Sequence, residues 1–237
     1  MLRDKIKNEE YFENYLEEDN LRINKFQEKI DGNQVKEDRI FSVKRKINSL
    51  KFGVLSAKYS LGKEIKTNFY NDFVEYIKEF PLFWNSNSGY VQLLWNVSIG
   101  IMLEIRDNDF NILVKLIEKD NPKDYLIDFI LNSRVDWNQK LSKFKFDNPY
   151  KNLEEVVMLA ESDKQKAVER LKQYLDKEWY KGHSDSGWYD DHKETEVNVY
   201  SGYWCWESGA LVKILDLDDT ILKDQEYYPY DMVHWQD

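Results

Sequence analysis

Ser88-Gly89-Tyr90-Val91-Gln92-Leu93-Leu94-Trp95-Asn96-Val97-Ser98-Ile99-Gly100-Ile101-Met102-Leu103-Glu104-Ile105 is apolar nearly all round, and its eighteen residues hold one charge, Glu104. A surface helix shows one apolar stripe, so a segment without a polar face is packed on several sides and predicts a central helix. Glu104 is then expected as a buried or half-buried carboxylate near the helix end, partnered inside a helical bundle, with a catalytic acid as the sharper alternative.

Outward from this segment the chain reads as helix after helix. From Asp4 to Ile30 the residues Ile6, Tyr11, Phe12, Tyr15, Leu16, Ile23, Phe26 and Ile30 recur near three- and four-residue spacing, and Asp31-Gly32-Asn33 stops the helix. A second pattern runs from about Glu37 to Tyr59, with Gly53 as a weak point. A third carries Ile65, Phe69, Phe73, Tyr76, Ile77 and Phe80 and is expected to end at Pro81. Shorter helices follow at about Asp109 to Lys119 and Pro122 to Asn132, with Pro122 in a first turn, then at Leu153 to Glu161 and Asp163 to Tyr180 after a Ser162-Asp163 cap. Gly202 to Leu215 and Thr220 to Asp224 complete the set.

No strand alternation of useful length competes, so the fold is predicted to be all-α. Ser88-Gly89-Tyr90 and Ser201-Gly202-Tyr203 each open a helix and form a weak repeat. The repeat suggests two stacked helical layers or halves forming one compact helical body, with an aromatic-rich loop region near the C-terminus. The pattern dissolves around Asp147-Asn148-Pro149. The expected division is therefore an N-terminal helical domain over 1–132, a linker over 133–149 and a C-terminal domain over 150–237.

From Lys181 onward the chain holds four lysines against thirteen acids, a net charge of −9 out of −10 for all 237 residues. Direct nucleic-acid binding is not expected, because phosphate neutralisation supplies most of that affinity and no basic stripe is present. No apolar run reaches the ~20 residues needed to cross a bilayer, and the first residues lack a secretory h-region, so the expected location is the cytoplasm. One cysteine excludes an internal disulfide and a thiolate metal cluster.

The same acidic quarter holds the candidates for chemistry. Lys213-Ile214-Leu215-Asp216-Leu217-Asp218-Asp219-Thr220-Ile221-Leu222 resembles the first signature of haloacid-dehalogenase-type phosphohydrolases, in which the residues matching Asp216 and Asp218 would be nucleophile and acid/base. That signature ends the first strand of a doubly wound fold, and fifteen residues after Leu222 are too few for a βαβ crossover. A helix ending at Leu215 followed by an acidic turn is the preferred reading. His183, Asp185, Asp190, Asp191, His192 and His234 are suitable ligand types for zinc or non-haem iron, but the spacing of the histidines is unlike paired metal ligands. A structural role, donating to a carbonyl or carboxylate, is favoured for them. Cys205 between Trp204 and Trp206 reads as a small core residue. No Gly-rich phosphate loop or dinucleotide fingerprint occurs, and no cofactor is expected.

One combination of motifs goes beyond spacing. Ser88-Gly89-Tyr90-Val91-Gln92-Leu93-Leu94-Trp95 with Ser98-Ile99-Gly100-Ile101, Glu178-Trp179-Tyr180-Lys181-Gly182-His183, Gly187-Trp188-Tyr189-Asp190, Ser201-Gly202-Tyr203-Trp204 with Glu207-Ser208-Gly209-Ala210, and Tyr228-Pro229-Tyr230-Asp231 together resemble the PoNi-type bacterial immunity proteins. The resemblance implies an all-helical, non-enzymatic protein that binds and neutralises a cognate PoNe-type DNase toxin of the PD-(D/E)xK superfamily.

A DNase has to present basic surface to phosphates, and a negative field steers capture while buried aromatic anchors slow escape. The expected toxin-facing residues are Asp185, Trp188, Tyr189, Asp190 and Asp191, together with the turn of Asp216, Asp218, Asp219 and Glu226. The alternatives are a metal-dependent hydrolase or phosphohydrolase built on the His/Asp-rich segment, and a helical scaffold for another basic protein.

Overall fold

The computed structural model describes residues 1–85, 89–137, 139 and 143–236. Among them there is no strand, and the all-α expectation holds. No helix is long and apolar enough to cross a membrane. The chain packs as two units: Met1–Trp84 with Asp190–Gly202, and Asn85–Tyr189 with the segment from Tyr203 onward.

In the first unit, α1 (Glu9–Asp31) starts where Asn8 Oδ1 accepts the Tyr11 amide at 2.9 Å, and it ends at Gly32. It begins later than expected because the Asp4 carboxylate takes the amides of Ile6 and Lys7, both at 2.8 Å, and so holds a turn instead. α2 (Glu37–Ser60) packs along α1. Phe12 and Tyr15 of α1 and Ile47, Leu50, Val54 and Leu55 of α2 are buried core residues. Gly53 has a reason to be glycine: a Cβ there would stand 2.4 Å from the Tyr15 hydroxyl.

α3 (Tyr70–Glu79) is preceded by a π-helical turn, Ile65–Phe69, and passes directly into the 3-10 turn Phe80–Leu82. The α-helix ends at Glu79, just before Pro81 as expected, and Pro81 sits inside the short 3-10 turn that follows. The returning segment docks through Tyr200, whose amide donates to the Tyr11 hydroxyl at 3.0 Å and whose hydroxyl donates to Asp4 at 2.5 Å.

The second unit is built around α4 (Tyr90–Met102), in which Leu93, Leu94, Val97, Ile99 and Met102 are fully buried. It packs against α5 (Asp107–Asp120), α6 (Tyr125–Asn132) and α10 (Trp206–Leu215), as the missing polar face predicts. Glu104 departs from its expectation. α4 ends at Met102, Glu104 turns at φ 48°, and its carboxylate is exposed and paired with Lys213 at 2.7 Å. It lies outside the core because the helix stops before its position is reached.

Pro122 likewise lies outside a helix. α6 begins at Tyr125, and the fully buried Asp124 caps it by accepting the amides of Leu126 and Ile127 at 3.0 Å.

α7 (Asn152–Ala160) packs on α8 (Lys164–Tyr174), for which Asp163 is the cap as expected. α8 runs through a π turn, Leu175–Trp179, into the single turn α9 (Tyr180–Gly182). α11 (Tyr230–Val233) closes against α10. The unit joins α4 to α10, far apart in sequence; residues 138 and 140–142 of the expected linker lie outside the described residues. Of the repeat, Ser88 also lies outside them. Tyr90 opens α4, whereas Tyr203 stands three residues before α10, which starts later than the predicted Gly202.

Candidate functional site

Several aromatic residues of the C-terminal quarter come together in the second unit around the π turn at the end of α8. Trp179 and His183 stand four residues apart on one helical face, and both are buried. Trp188 stacks on Trp179 with ring centroids 5.7 Å apart and also meets His183, Trp95 and Tyr203. Tyr189 stacks on Tyr180 at 4.5 Å, and Tyr180 lies nearly parallel to Tyr227. Trp188 and Tyr189, expected as contact residues, are thus half-buried and carry part of this cluster.

Two titratable groups sit inside the cluster. The Trp179 indole N–H donates to Glu207 Oε1 at 2.8 Å, and complete burial pushes that carboxyl up to about 7. His183 Nδ1 donates to the Trp179 carbonyl at 2.7 Å, leaving Nε2 to accept from the Tyr150 hydroxyl at 2.8 Å. Burial lowers the His183 pKa to about 4, so the ring is neutral and structural. Burial, then Glu207, raises the Cys205 thiol far from thiolate character, which fits the expected core role.

The Asp216–Leu222 loop is the second feature. α10 ends at Leu215 as expected, and Asp216 takes a left-handed φ of 51°. Leu217, Asp219 and Leu222 point inward, while Asp216, Asp218, Thr220 and Ile221 are exposed. The loop is held from both sides. Asp219 accepts the Tyr228 hydroxyl at 2.6 Å and His234 Nε2 at 2.9 Å, and Asp218 accepts the amide and hydroxyl of Thr220. Hydrogen bonds from Thr220 hold Asp218 below the usual carboxylate range, and Lys164 does the same for Asp216 through a 2.9 Å contact.

The expected surface is therefore only partly assembled. Asp216 and Asp218 line one groove of about 540 Å3 with Lys164, Val168, Glu169 and Ile221. Asp219 is buried beneath the same loop and shapes it. Asp185 and Glu226 are exposed elsewhere in this unit. Asp190 and Asp191 belong to the first unit, where Asp190 turns at φ 66° and pairs with Lys193 at 2.8 Å, and burial raises the pKa of half-buried Asp191.

Among the described residues, no group of three or more His, Cys, Asp or Glu side chains comes together in a way that could hold a metal ion. His183 and His234 donate to a carbonyl and a carboxylate, as favoured from sequence. With no strand before Asp216, the phosphohydrolase signature lacks its framework.

Sequence spacing missed Glu207 and the groove wall of Lys164, Glu169 and Ile221. The one available signal was Ile221, an apolar residue beside Leu222 in an acidic turn.

No curated relative and no solved structure matches this chain. Two family models do: residues 3–115 match the N-terminal part of the PoNe immunity proteins (PoNi), and residues 122–232 match their C-terminal part. The two matches follow in order and span nearly all of an all-helical chain that carries the motifs quoted above, and the chain therefore belongs to the PoNi family, the immunity proteins against PoNe nuclease toxins.

Proposed function

We propose that this protein acts by stoichiometric binding to its cognate PoNe nuclease and catalyses no reaction itself. The observation that carries this reading is the exposed, pre-shaped acidic surface of the second unit, whose share of the chain from Lys181 onward holds three lysines against nine acids, a net charge of −6. A nuclease needs positive surface for phosphate, and complementary charge raises the rate of encounter within about one Debye length, ~8 Å at physiological salt. Asp185, Asp216, Asp218 and Glu226 supply the field. The half-exposed edges of Trp188 and Tyr189 supply apolar contact, and Asp219 holds the turn. Asp190 and Asp191 are a separate acidic contribution from the first unit. The compartment that fits is the bacterial cytoplasm, where a nuclease meets the chromosome.

Co-expression with the cognate PoNe toxin tests this reading through survival, and salt-dependent binding kinetics with a catalytically inactive toxin test the complex. A one-to-one complex whose association slows steeply with added salt is expected. Protection without a complex would refute binding as the mechanism.

A further inference from the structure

The groove between the first half of α8 and the Asp216–Leu222 loop does more than add charge. We infer that it seats a basic segment of the cognate nuclease, with Ile221 as the apolar anchor; this rests on the binding function proposed above.

Three observations converge here. The loop buries Leu217 and Leu222 but leaves Ile221, between them in sequence, 50% exposed, although its turn packs on α8. The groove it borders, about 540 Å3, has the almost fully buried Val168 and the half-exposed Ile221 on its walls and Glu169, Asp216 and Asp218 around them, with Lys164 the one cation among the described residues that line it. An apolar spot ringed by carboxylates matches an arginine or lysine stem, whose methylenes pack while its head group pairs.

The groove is also shaped before any partner arrives. Asp219 and its two donors fix the loop from within, and Thr220 fixes the Asp218 carboxylate from outside. Little ordering remains to be done on binding, which favours slow release. The Lys164–Asp216 pair is exposed on both sides, so it is weak and can be exchanged for a toxin arginine offering two parallel donors. A DNA-cleaving partner supplies such arginines and lysines because it must hold phosphates.

The test uses the full chain and a catalytically inactive form of the toxin. Ile221→Arg places bulk and positive charge in the groove and is expected to weaken the complex by roughly 100-fold, as for a central anchor. Ile221→Ala and Asp218→Asn are each expected to weaken it by about 10-fold, with unchanged thermal unfolding, because both positions are exposed. Ile221→Ala keeps the test sound if the arginine variant unfolds.

Parent-like binding by folded Ile221→Arg or Ile221→Ala, within twofold, would overturn the groove while leaving the binding function intact. A parent chain that forms no complex at all would remove both. A parent dimer that Ile221→Arg dissociates, with toxin binding retained, would assign the groove to a second copy of this chain instead.

Discussion

Trp179 and Glu207, 28 residues apart, meet inside the second unit through an indole-to-carboxyl hydrogen bond of 2.8 Å with both side chains buried. The contact ties the π turn after α8 to the first turn of α10 and encloses an acid among rings.

Glu207 makes stability depend on pH. Its folded pKa is raised to about 7 from 4.5, chiefly by burial, so the folded state keeps a proton that the unfolded chain releases above 4.5. This group's effect is to lower stability as pH rises from 4.5 to 7, by on the order of 3 kcal/mol in full. His183 acts at the other side. Its folded pKa is depressed to about 4 from 6.5, so the unfolded chain takes up a proton first and stability falls as pH drops from 6.5 to 4. Urea unfolding of Glu207→Gln is therefore expected to gain on the parent steadily between pH 5 and 7 and level off by pH 8. A constant difference across that range would refute the buried, neutral acid.

Gly53 separates helix propensity from packing. Propensity alone favours Gly53→Ala in the middle of α2 by about 1 kcal/mol. The new Cβ would stand 2.4 Å from the hydroxyl of Tyr15, a buried residue that also bonds to Asp19. The variant is expected to lose about 1–3 kcal/mol by denaturant titration, as overpacked cores do. A stabilised Gly53→Ala would show that Tyr15 moves aside freely.

Neighbouring acids in the 216–222 loop are expected to behave oppositely. Asp219→Ala leaves the Tyr228 hydroxyl and His234 without their shared acceptor and is expected to cost about 2–4 kcal/mol. Asp218→Ala loses only the exposed hydrogen bonds from Thr220 and is expected to cost about 0.5–1 kcal/mol. Equal melting temperatures for the two variants would show that the Asp219 network does not hold the loop.

Much of the fold was legible because helices declare themselves locally. The period of Phe12, Tyr15, Leu50 and Val54 marks buried faces, Asp163 marks a helix start, and the unbroken apolar run of α4 marks a centre. Errors came where a distant partner decides the outcome. Asp4, which also accepts the Tyr200 hydroxyl, turns the chain before α1, and Asp124, which also accepts the Lys145 amide, displaces Pro122 as the start of α6.

By itself the sequence determined an all-helical chain, its acidic last quarter and the ordered motifs that place it among the PoNi immunity proteins, since composition and short-range periodicity need no knowledge of the fold. Only tertiary structure decided which carboxylates face outward. Asp218 and Asp219 are adjacent and chemically alike, yet one lines an open groove and the other is sealed under Tyr228 and His234. Burial of a side chain depends on what packs over it from elsewhere in the chain, and no local pattern encodes that.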